Sequence, residues 1–289
     1  MSTPATPRTR PPGGGYRPSA AKRAQLWLEN HFVMISALLV LGFLFLPIVY
    51  TFVFSFNDHG KTNIVWQGFT TEHWKDPCGV AGACSSLVTS LQVGVIATLV
   101  SVALGTMMAL AMVRYRFRGK GAGNLLVFVP MATPEIVLGA SLLTIFVQAF
   151  SFVQLGFWTI TAAHIMFCLS YVVVTVRARI QSLDPRIEEA SQDLYASPMT
   201  TFWLVTFPLI LPGVLGAGML AFALSFDDFI ITNFTSGNES TFPKFVYVSA
   251  KRGIPAEANV IGISMFAIAM ALVLGVMIAG RLRERRTPS

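Results

Sequence analysis

The sequence predicts an all-α membrane protein, a polytopic bundle of six transmembrane helices. Hydrophobic residues make up 54% of the 289-residue chain and charged residues only 12%, against about 25% charged in ordinary soluble domains. Mean hydropathy is +0.63, and the apolar residues are grouped in long uncharged runs, as membrane-spanning helices require. This composition excludes a disordered chain, a secreted disulfide scaffold and an ordinary cytosolic enzyme.

Five apolar runs account for the six predicted spans, because one run is long enough for two. A helix crosses the bilayer core of about 30 Å with roughly 20 residues. Residues 136–176 form an uncharged run of 41 residues, which would extend about 60 Å as one helix. We therefore place a turn near residues 151–156 and begin the third span upstream, near Asn124. The other predicted spans are residues 32–56, 87–113, 209–232 and 258–280.

Basic residues alternate between the segments that connect these spans. The two terminal segments and the second and fourth connections together carry 16 Lys and Arg residues, whereas the remaining connections carry five. Because Lys and Arg are retained on the cytoplasmic side of a membrane, both termini are predicted to be cytoplasmic. Topology thus explains the net charge of +7, which does not indicate a nucleic-acid partner.

Composition divides the chain into three regions. Residues 1–25 are predicted to be a disordered, basic cytoplasmic tail, because a segment rich in Pro, Gly, Ser, Thr and Arg cannot form a core. Residues 26–283 form the transmembrane domain, and residues 284–289 a short cytoplasmic tail. The first tail either contacts anionic membrane lipid or is a solvated segment that only sets topology.

The three cysteines do not indicate a catalytic or metal site. Cys78 and Cys84 lie in the first outer loop, where either a structural disulfide or two free thiols are consistent with the sequence. Cys168 lies within the fourth span and is interpreted as a small core residue. His and Cys spacings match no metal site, so no cofactor is expected in this chain. Any energy source must then come from another chain or from an ion gradient.

The 177–208 segment, between the fourth and fifth spans, is too long for a simple turn. Asp184 and Pro185 are typical of a helix start, and Glu188 and Glu189 follow where a helix dipole favours anions. Ser197 and Pro198 mark a second start. We predict two short helices, which either dock a partner or stabilise the bundle as an interfacial hairpin. The first helix has a narrow apolar face, formed by Ile187, Ala190 and Leu194.

Residues 189–195 (Glu-Ala-Ser-Gln-Asp-Leu-Tyr), followed after nine residues by Val-Thr-Phe-Pro at 205–208, resemble the EAA loop of ABC-importer permeases. In that family the loop docks in a cleft of the ATPase subunit. Tyr195 stands where the family has Gly, and a positive φ at this position is costly for Tyr, so we expect a strained or shifted turn. The ATPase-coupling residues implied by the resemblance are Glu188, Glu189, Ala190, Asp193, Leu194, Tyr195 and Pro208.

Residues 130–139, 224–229 and 235–237 extend the resemblance to one permease subunit of the spermidine/putrescine importers, and it covers roughly residues 30 to 283. It implies a type I ABC-importer permease fold in a bacterial inner membrane. The implied partners are a second homologous permease, two ATPase subunits that carry ATP and Mg²⁺, and an extracytoplasmic polyamine-binding protein. The alternatives are a permease for another small solute and a secondary transporter driven by an ion gradient. An intramembrane enzyme is disfavoured, because nucleophile and metal motifs are missing.

Glu135 is the first of three acidic residues predicted to lie within spans, where charges are costly and usually functional. It follows Thr133 and Pro134, which are interpreted as the N-cap and first residue of a restarted helix. Counting 1.5 Å per residue from the start of the third span places it near mid-membrane. A broken helix there is typical of a transporter site; the alternative is that Glu135 serves only to stabilise the helix N-terminus.

Asp227 and Asp228 interrupt the fifth predicted span. In a continuous helix Asp228 shares a polar stripe with Ser225, Thr232 and Thr235 at i, i+3, i+7 and i+10, which favours a water-filled pathway. Asp227 would instead lie on an apolar face and meet a partner group. We therefore predict a substrate pathway along Asp228, Ser225, Thr232 and Glu135, with Asp227 beside it; the alternative places both aspartates in the headgroup region.

Overall fold

The computed structural model describes residues 20–58 and 63–284. In this part of the chain the regular structure is helical, with one isolated antiparallel bridge between Asn57 and Phe69. The chain divides into two units, residues 1–53 and residues 54–289. The predicted all-α class is confirmed.

Helix α1, Ala20–Phe54, forms the described part of the first unit. Its apolar portion, His31–Phe54, is 24 residues long, close to the predicted span at 32–56 and sufficient to cross a bilayer. Residues 1–19 of the predicted tail lie outside the described residues. Residues 20–25, the remainder of that predicted tail, are helical.

The helices of the second unit follow the predicted order. They are α2 Glu72–Lys75, α3 Ala83–Arg114, α4 Lys120–Ala132, α5 Glu135–Gln148, α6 Phe157–Gln181, α7 Arg186–Asp193, α8 Pro198–Thr201, a π-helical turn Phe202–Thr206, α9 Phe207–Asp227, α10 Ile230–Thr235, α11 Phe242–Ala250 and α12 Ala256–Glu284.

In the described residues, five helices are long and apolar enough to cross a membrane. They lie in α1, α3, α6, the continuous stretch Pro198–Asp227, and α12. The pair α4 and α5 becomes the sixth span if it is counted as one, and it is bent by 110° at the break. The predicted turn at 151–156 is found between α5 and α6. The predicted fifth span, 209–232, is wrong at its end, because α9 stops at Asp227.

The core of the second unit forms where α3, α6 and α9 pack against one another. Its centre includes Val172, Val176 and Ile210, all fully buried. Glycine permits close approach of α3 and α6: a Cβ on Gly105 would lie 2.7 Å from Cγ1 of Val172. Close packing through small residues is the usual basis of helix association in lipid, where the hydrophobic effect does not drive it.

A compact polar loop follows α1. The amide of Asn57, which is fully buried, donates to Oδ1 of Asn63 at 2.7 Å and to the carbonyl of Val65 at 2.9 Å. Cys78 and Cys84 form a disulfide, which resolves the alternative that the sequence left open. The bond joins the loop to the first turn of α3 and so anchors it to the bundle.

Candidate functional site

The helix that carries the acidic pair is interrupted at Asp228. This residue has an extended backbone, with φ −66° and ψ 121°, between α9 and α10. Its carboxylate accepts the backbone N–H groups of Ile231 at 3.3 Å and Thr232 at 2.9 Å. An aspartate side chain that binds nearby backbone donors competes with helix continuation and caps the next helix. Asp228 therefore favours a break at this position.

The predicted exposure of the two aspartates is wrong. Asp228 is 8% exposed, whereas Asp227 is exposed. The prediction assumed one helix from residue 225 to residue 235, and the break removes the 3.6-residue periodicity on which the polar stripe depended. Asp227, rather than Asp228, therefore presents the more accessible carboxylate.

Ser225, Asp228 and Thr232 do meet, but they meet around a buried histidine. His164 in α6 is fully buried; its Nδ1 lies 2.7 Å from Oγ of Ser225, and its Nε2 lies 3.0 Å from Oγ1 of Thr232. The same Nε2 lies 3.3 Å from Oδ2 of Asp228. Sequence reasoning missed His164, although an ionisable residue inside a span is itself a signal of function.

Glu135, Asp227 and Asp228 line one cavity of about 520 Å³. None of the described residues that line it is basic. Carboxylates on an otherwise apolar wall favour a cation there, because the opposite charge offsets part of the cost of leaving water. The apolar residues that line it are Phe167, Leu220, Ala223, Leu224, Phe229 and Ile230.

Glu135 is the first residue of α5, directly after the break at Thr133 and Pro134. The predicted restart of a helix is confirmed, but the predicted cap is wrong by one residue: Pro134 rather than Thr133 is the N-cap, and Glu135 rather than Pro134 is the first helical residue. Beyond this point the chain does not continue straight, because α4 and α5 are bent by 110°. Glu135 is exposed and faces the cavity.

Helix α10 is held in place by close contacts on two sides. A Cβ on Gly139 of α5 would lie 2.6 Å from Cδ2 of Phe234, so only glycine fits there without a shift. After α10, the Lys244 ammonium donates to Oγ of Ser236 at 2.7 Å and to the carbonyl of Glu239 at 2.9 Å. Burial lowers the pKa of Lys244, and the charge of Glu239 opposes this shift.

The 177–208 segment contains the two predicted short helices, α7 and α8. Oδ1 of Asp184 accepts the N–H of Arg186 at 3.0 Å at the start of α7. Oγ of Ser197 accepts the N–H of Thr200 at 3.2 Å at the start of α8. Helix α8 continues through the π-helical turn into α9, where Pro208 lies in the first turn. Pro208 has no N–H for the helix ladder, consistent with an altered register just before it.

Glu188 and Glu189 have different environments. Glu188 accepts hydrogen bonds from Arg114 at 2.8 Å and from the Thr206 hydroxyl at 3.0 Å, so it ties α7 to α3 and to the π-helical turn. Glu189 is exposed. The remaining coupling residues predicted in α7 and just after it are also exposed, namely Ala190, Asp193, Leu194 and Tyr195.

Tyr195 has a φ of +63°, and it is the one non-glycine residue with positive φ in the described part of the chain. Its side chain is 99% exposed. The predicted strained turn is confirmed, since this backbone region costs most side chains roughly 1–2 kcal/mol. The exposed ring gains almost no contact within this chain to offset that cost.

Residues 101–287 match the family model described as the inner membrane component of binding-protein-dependent transport systems. The chain is 34% identical over 243 residues to the spermidine/putrescine transport system permease protein PotC of Escherichia coli K12, with 84% of this chain and 91% of PotC covered. It is 35% identical over 230 residues to the putrescine transport system permease protein PotI of the same organism, with 77% of this chain and 82% of PotI covered.

Among solved structures, the chain is similar to a bacterial ABC transporter involved in the import of the acidic polysaccharide alginate. The TM-score is 0.58 at 15% identity, with 94% of this chain and 99% of that chain covered. At this identity the likeness concerns the fold. Together with the match over residues 101–287, these findings show that the chain is a multi-pass membrane protein that belongs to the inner membrane component family of binding-protein-dependent transport systems.

Proposed function

We propose that this chain is a permease subunit of a polyamine importer and that its cavity forms part of the pathway for spermidine or putrescine. The observation that carries the proposal is the convergence of Glu135, Asp227 and Asp228 on one cavity. Carboxylates there favour the ammonium groups of a polyamine as they leave water. Phe229 also lines the cavity and offers a ring face to a cation.

The substrate class is supported by the relatives PotC and PotI together with the acidic cavity, not by the fold. An importer of an acidic polysaccharide has a similar fold, so the same architecture serves solutes of opposite charge. The choice between a polyamine and another small solute therefore depends on the charge of the cavity. A polycation needs the carboxylates, whereas a neutral solute does not.

The test is uptake by the complete importer reconstituted in proteoliposomes with its binding protein. Asp227→Asn and Glu135→Gln are expected to lower polyamine uptake strongly, because each removes a charge exposed to the cavity. Glu72→Gln, an exposed acid in the α2 loop, is the matched control and is expected to leave uptake unchanged. Normal polyamine uptake in both cavity variants would contradict the polycation pathway.

The roles of the two aspartates follow from their burial. Asp228→Asn is expected to reduce assembly or stability, because the buried carboxylate caps α10 and contacts His164. Asp227→Asn is expected to assemble normally and to transport poorly. This assignment reverses the one made from helical periodicity, and comparing complex yield with uptake for the two variants distinguishes them.

We further propose that the exposed surface of α7 and Tyr195 docks an ATPase subunit. The importer then contains two ATPase subunits, a second permease subunit and an extracytoplasmic binding protein. ATP and Mg²⁺ are bound by the ATPase subunits. The support is the EAA-like sequence on an exposed helix that is tied through Glu188 to α3 and to the π-helical turn. Co-purification of an ATPase with the intact chain tests this arrangement, and its absence would favour a transporter driven by an ion gradient.

The proposed orientation places both termini in the cytoplasm. It is supported by the distribution of Lys and Arg, 16 residues against five, and by the Cys78–Cys84 disulfide, because disulfides persist in oxidising compartments outside the cytoplasm. A membrane-impermeant thiol reagent is expected to label a cysteine introduced at Lys75 but not one introduced at Arg118. Labelling at Arg118 in intact cells would contradict this orientation.

A further inference from the structure

His164 stands out because the ring is fully buried in the apolar helix α6, and both nitrogens are engaged. The Thr232 hydroxyl donates to the backbone carbonyl of Asp228 at 3.3 Å, so its oxygen is free to accept from N–H of Nε2. This arrangement assigns the proton to Nε2 and leaves Nδ1 to accept from the Ser225 hydroxyl. The ring is therefore held in one tautomer by neighbours on two helices.

The partners of His164 lie on both sides of the helix break. Ser225 is in the last turn of α9, Asp228 is at the break, and Thr232 is in the first turn of α10. One ring from α6 thus connects the end of one helix to the start of the next. Buried hydrogen bonds of this kind are costly to leave unmade, so they resist any shift of the break along the chain.

The position of the break decides which of the two carboxylates is exposed at the cavity that both line. With the break at Asp228, the Asp228 carboxylate binds the α10 backbone and contacts His164, and Asp227 is the exposed one. Asp227 is the last residue of α9, and the bond between Ser225 and His164 fixes the turn that carries it. In an uninterrupted helix Asp228 would instead point about 100° from Asp227 and lose its extended backbone. His164 itself has no exposed surface and cannot contact a cation in the cavity.

We propose that His164 is a positioning residue of the transport pathway, which holds the α9–α10 break and thereby directs the Asp227 carboxylate at the cavity. The inference rests on the proposed cation pathway. It assigns to Asp228 the role of a buried anchor and to Asp227 the contact with the transported cation.

The test compares His164→Leu, which removes both polar groups, with His164→Gln, which keeps one donor and one acceptor. The measurement is polyamine imported per ATP hydrolysed by the complete importer in proteoliposomes, because this ratio cancels differences in yield. His164→Leu is expected to lower the ratio about tenfold, since small displacements of a positioned group have large effects. His164→Gln is expected to retain most of it. Thr161→Val is the control, because the Thr161 hydroxyl is buried in α6 but bonds only the carbonyl of Phe157.

A double variant distinguishes a positioning role of His164 from a loss of function caused by disrupted structure. If His164 acts through Asp227, then His164→Leu combined with Asp227→Asn loses no more than the more impaired single variant, because coupled sites are not additive. The inference would be overturned if the double variant lost the product of the two single losses in the ratio. It would also be overturned by an unchanged ratio in His164→Leu, or by equal losses of the ratio in His164→Leu and His164→Gln. A normal ratio in Asp227→Asn would overturn the inference, and a normal ratio in both Asp227→Asn and Glu135→Gln would overturn the cation pathway with it. A defect in Asp227→Asn without one in His164→Leu would overturn the inference alone.

Discussion

Replacing Tyr195 by Ala, Gly or Phe separates the backbone strain of this residue from the contacts that its ring makes with a partner. In the described structure Tyr195 has positive φ and a side chain that is 99% exposed. If the ring is buried against the ATPase, Tyr195→Ala is expected to weaken ATPase binding, and Tyr195→Phe is expected to retain it because the ring remains.

The backbone contribution favours Gly over Tyr in the free chain. Positive φ costs a non-glycine residue roughly 1–2 kcal/mol, and the greater entropy of unfolded Gly offsets about 0.5–1 kcal/mol of the gain. Tyr195→Gly is therefore expected to stabilise the turn after α7 by about 1 kcal/mol. This strain is the same in the free and bound chain if the turn does not change, so it does not alter affinity.

The ring contribution is larger and appears only on binding. A buried aromatic anchor at the centre of an interface is worth about 2 kcal/mol or more when truncated, which is about 30-fold in the dissociation constant. Ala and Gly at position 195 should therefore weaken ATPase binding equally, although only Gly stabilises the turn. A difference between them would mean that the turn relaxes in the complex.

The assay titrates ATPase subunits onto the detergent-solubilised permease complex, and hydrogen exchange of the α7 and α8 amides follows the turn. Tyr195→Phe is the matched control, with binding expected within about twofold of the original because the exposed hydroxyl is a small part of the contact. Unchanged ATPase affinity in Tyr195→Ala would refute the docking role of the ring. Unchanged or weaker protection in Tyr195→Gly would refute the strain argument.

Three further outcomes are expected. Glu189→Ala should leave docking of the loaded binding protein intact but reduce ATPase-coupled uptake; unchanged ATP hydrolysis and uptake would show that this exposed carboxylate is not part of the coupling surface. Gly139→Val should lower the thermal stability of the complex by about 1–3 kcal/mol through overpacking against Phe234, whereas normal stability would show that α10 can move away at little cost. Cys78→Ser should destabilise the loop before α3 by about 2 kcal/mol, as expected for a short closed loop, and reducing agent should lower the melting temperature of the original protein but not of the variant.

Local chemistry explains why much of this protein is predictable from sequence. Long uncharged runs specify the spans, because a helix satisfies all of its backbone hydrogen bonds within one segment, as lipid requires. Pro134 specifies the restart of a helix at Glu135, since proline fixes φ and lacks an N–H. Asp184 and Ser197 favour the starts of α7 and α8, because their side chains accept backbone N–H groups two or three residues along the chain.

The arrangement of the acidic site was decided only by tertiary structure. Periodicity placed Asp228 toward water, but its carboxylate binds the α10 backbone and meets His164, which is 64 residues away in the sequence. The bend between α4 and α5, which brings Glu135 to the same cavity as Asp227, likewise depends on how α5 packs against α10. Sequence patterns report the direction of a side chain only while one helix continues. Where a helix breaks, buried contacts between distant residues determine which charge faces the pathway.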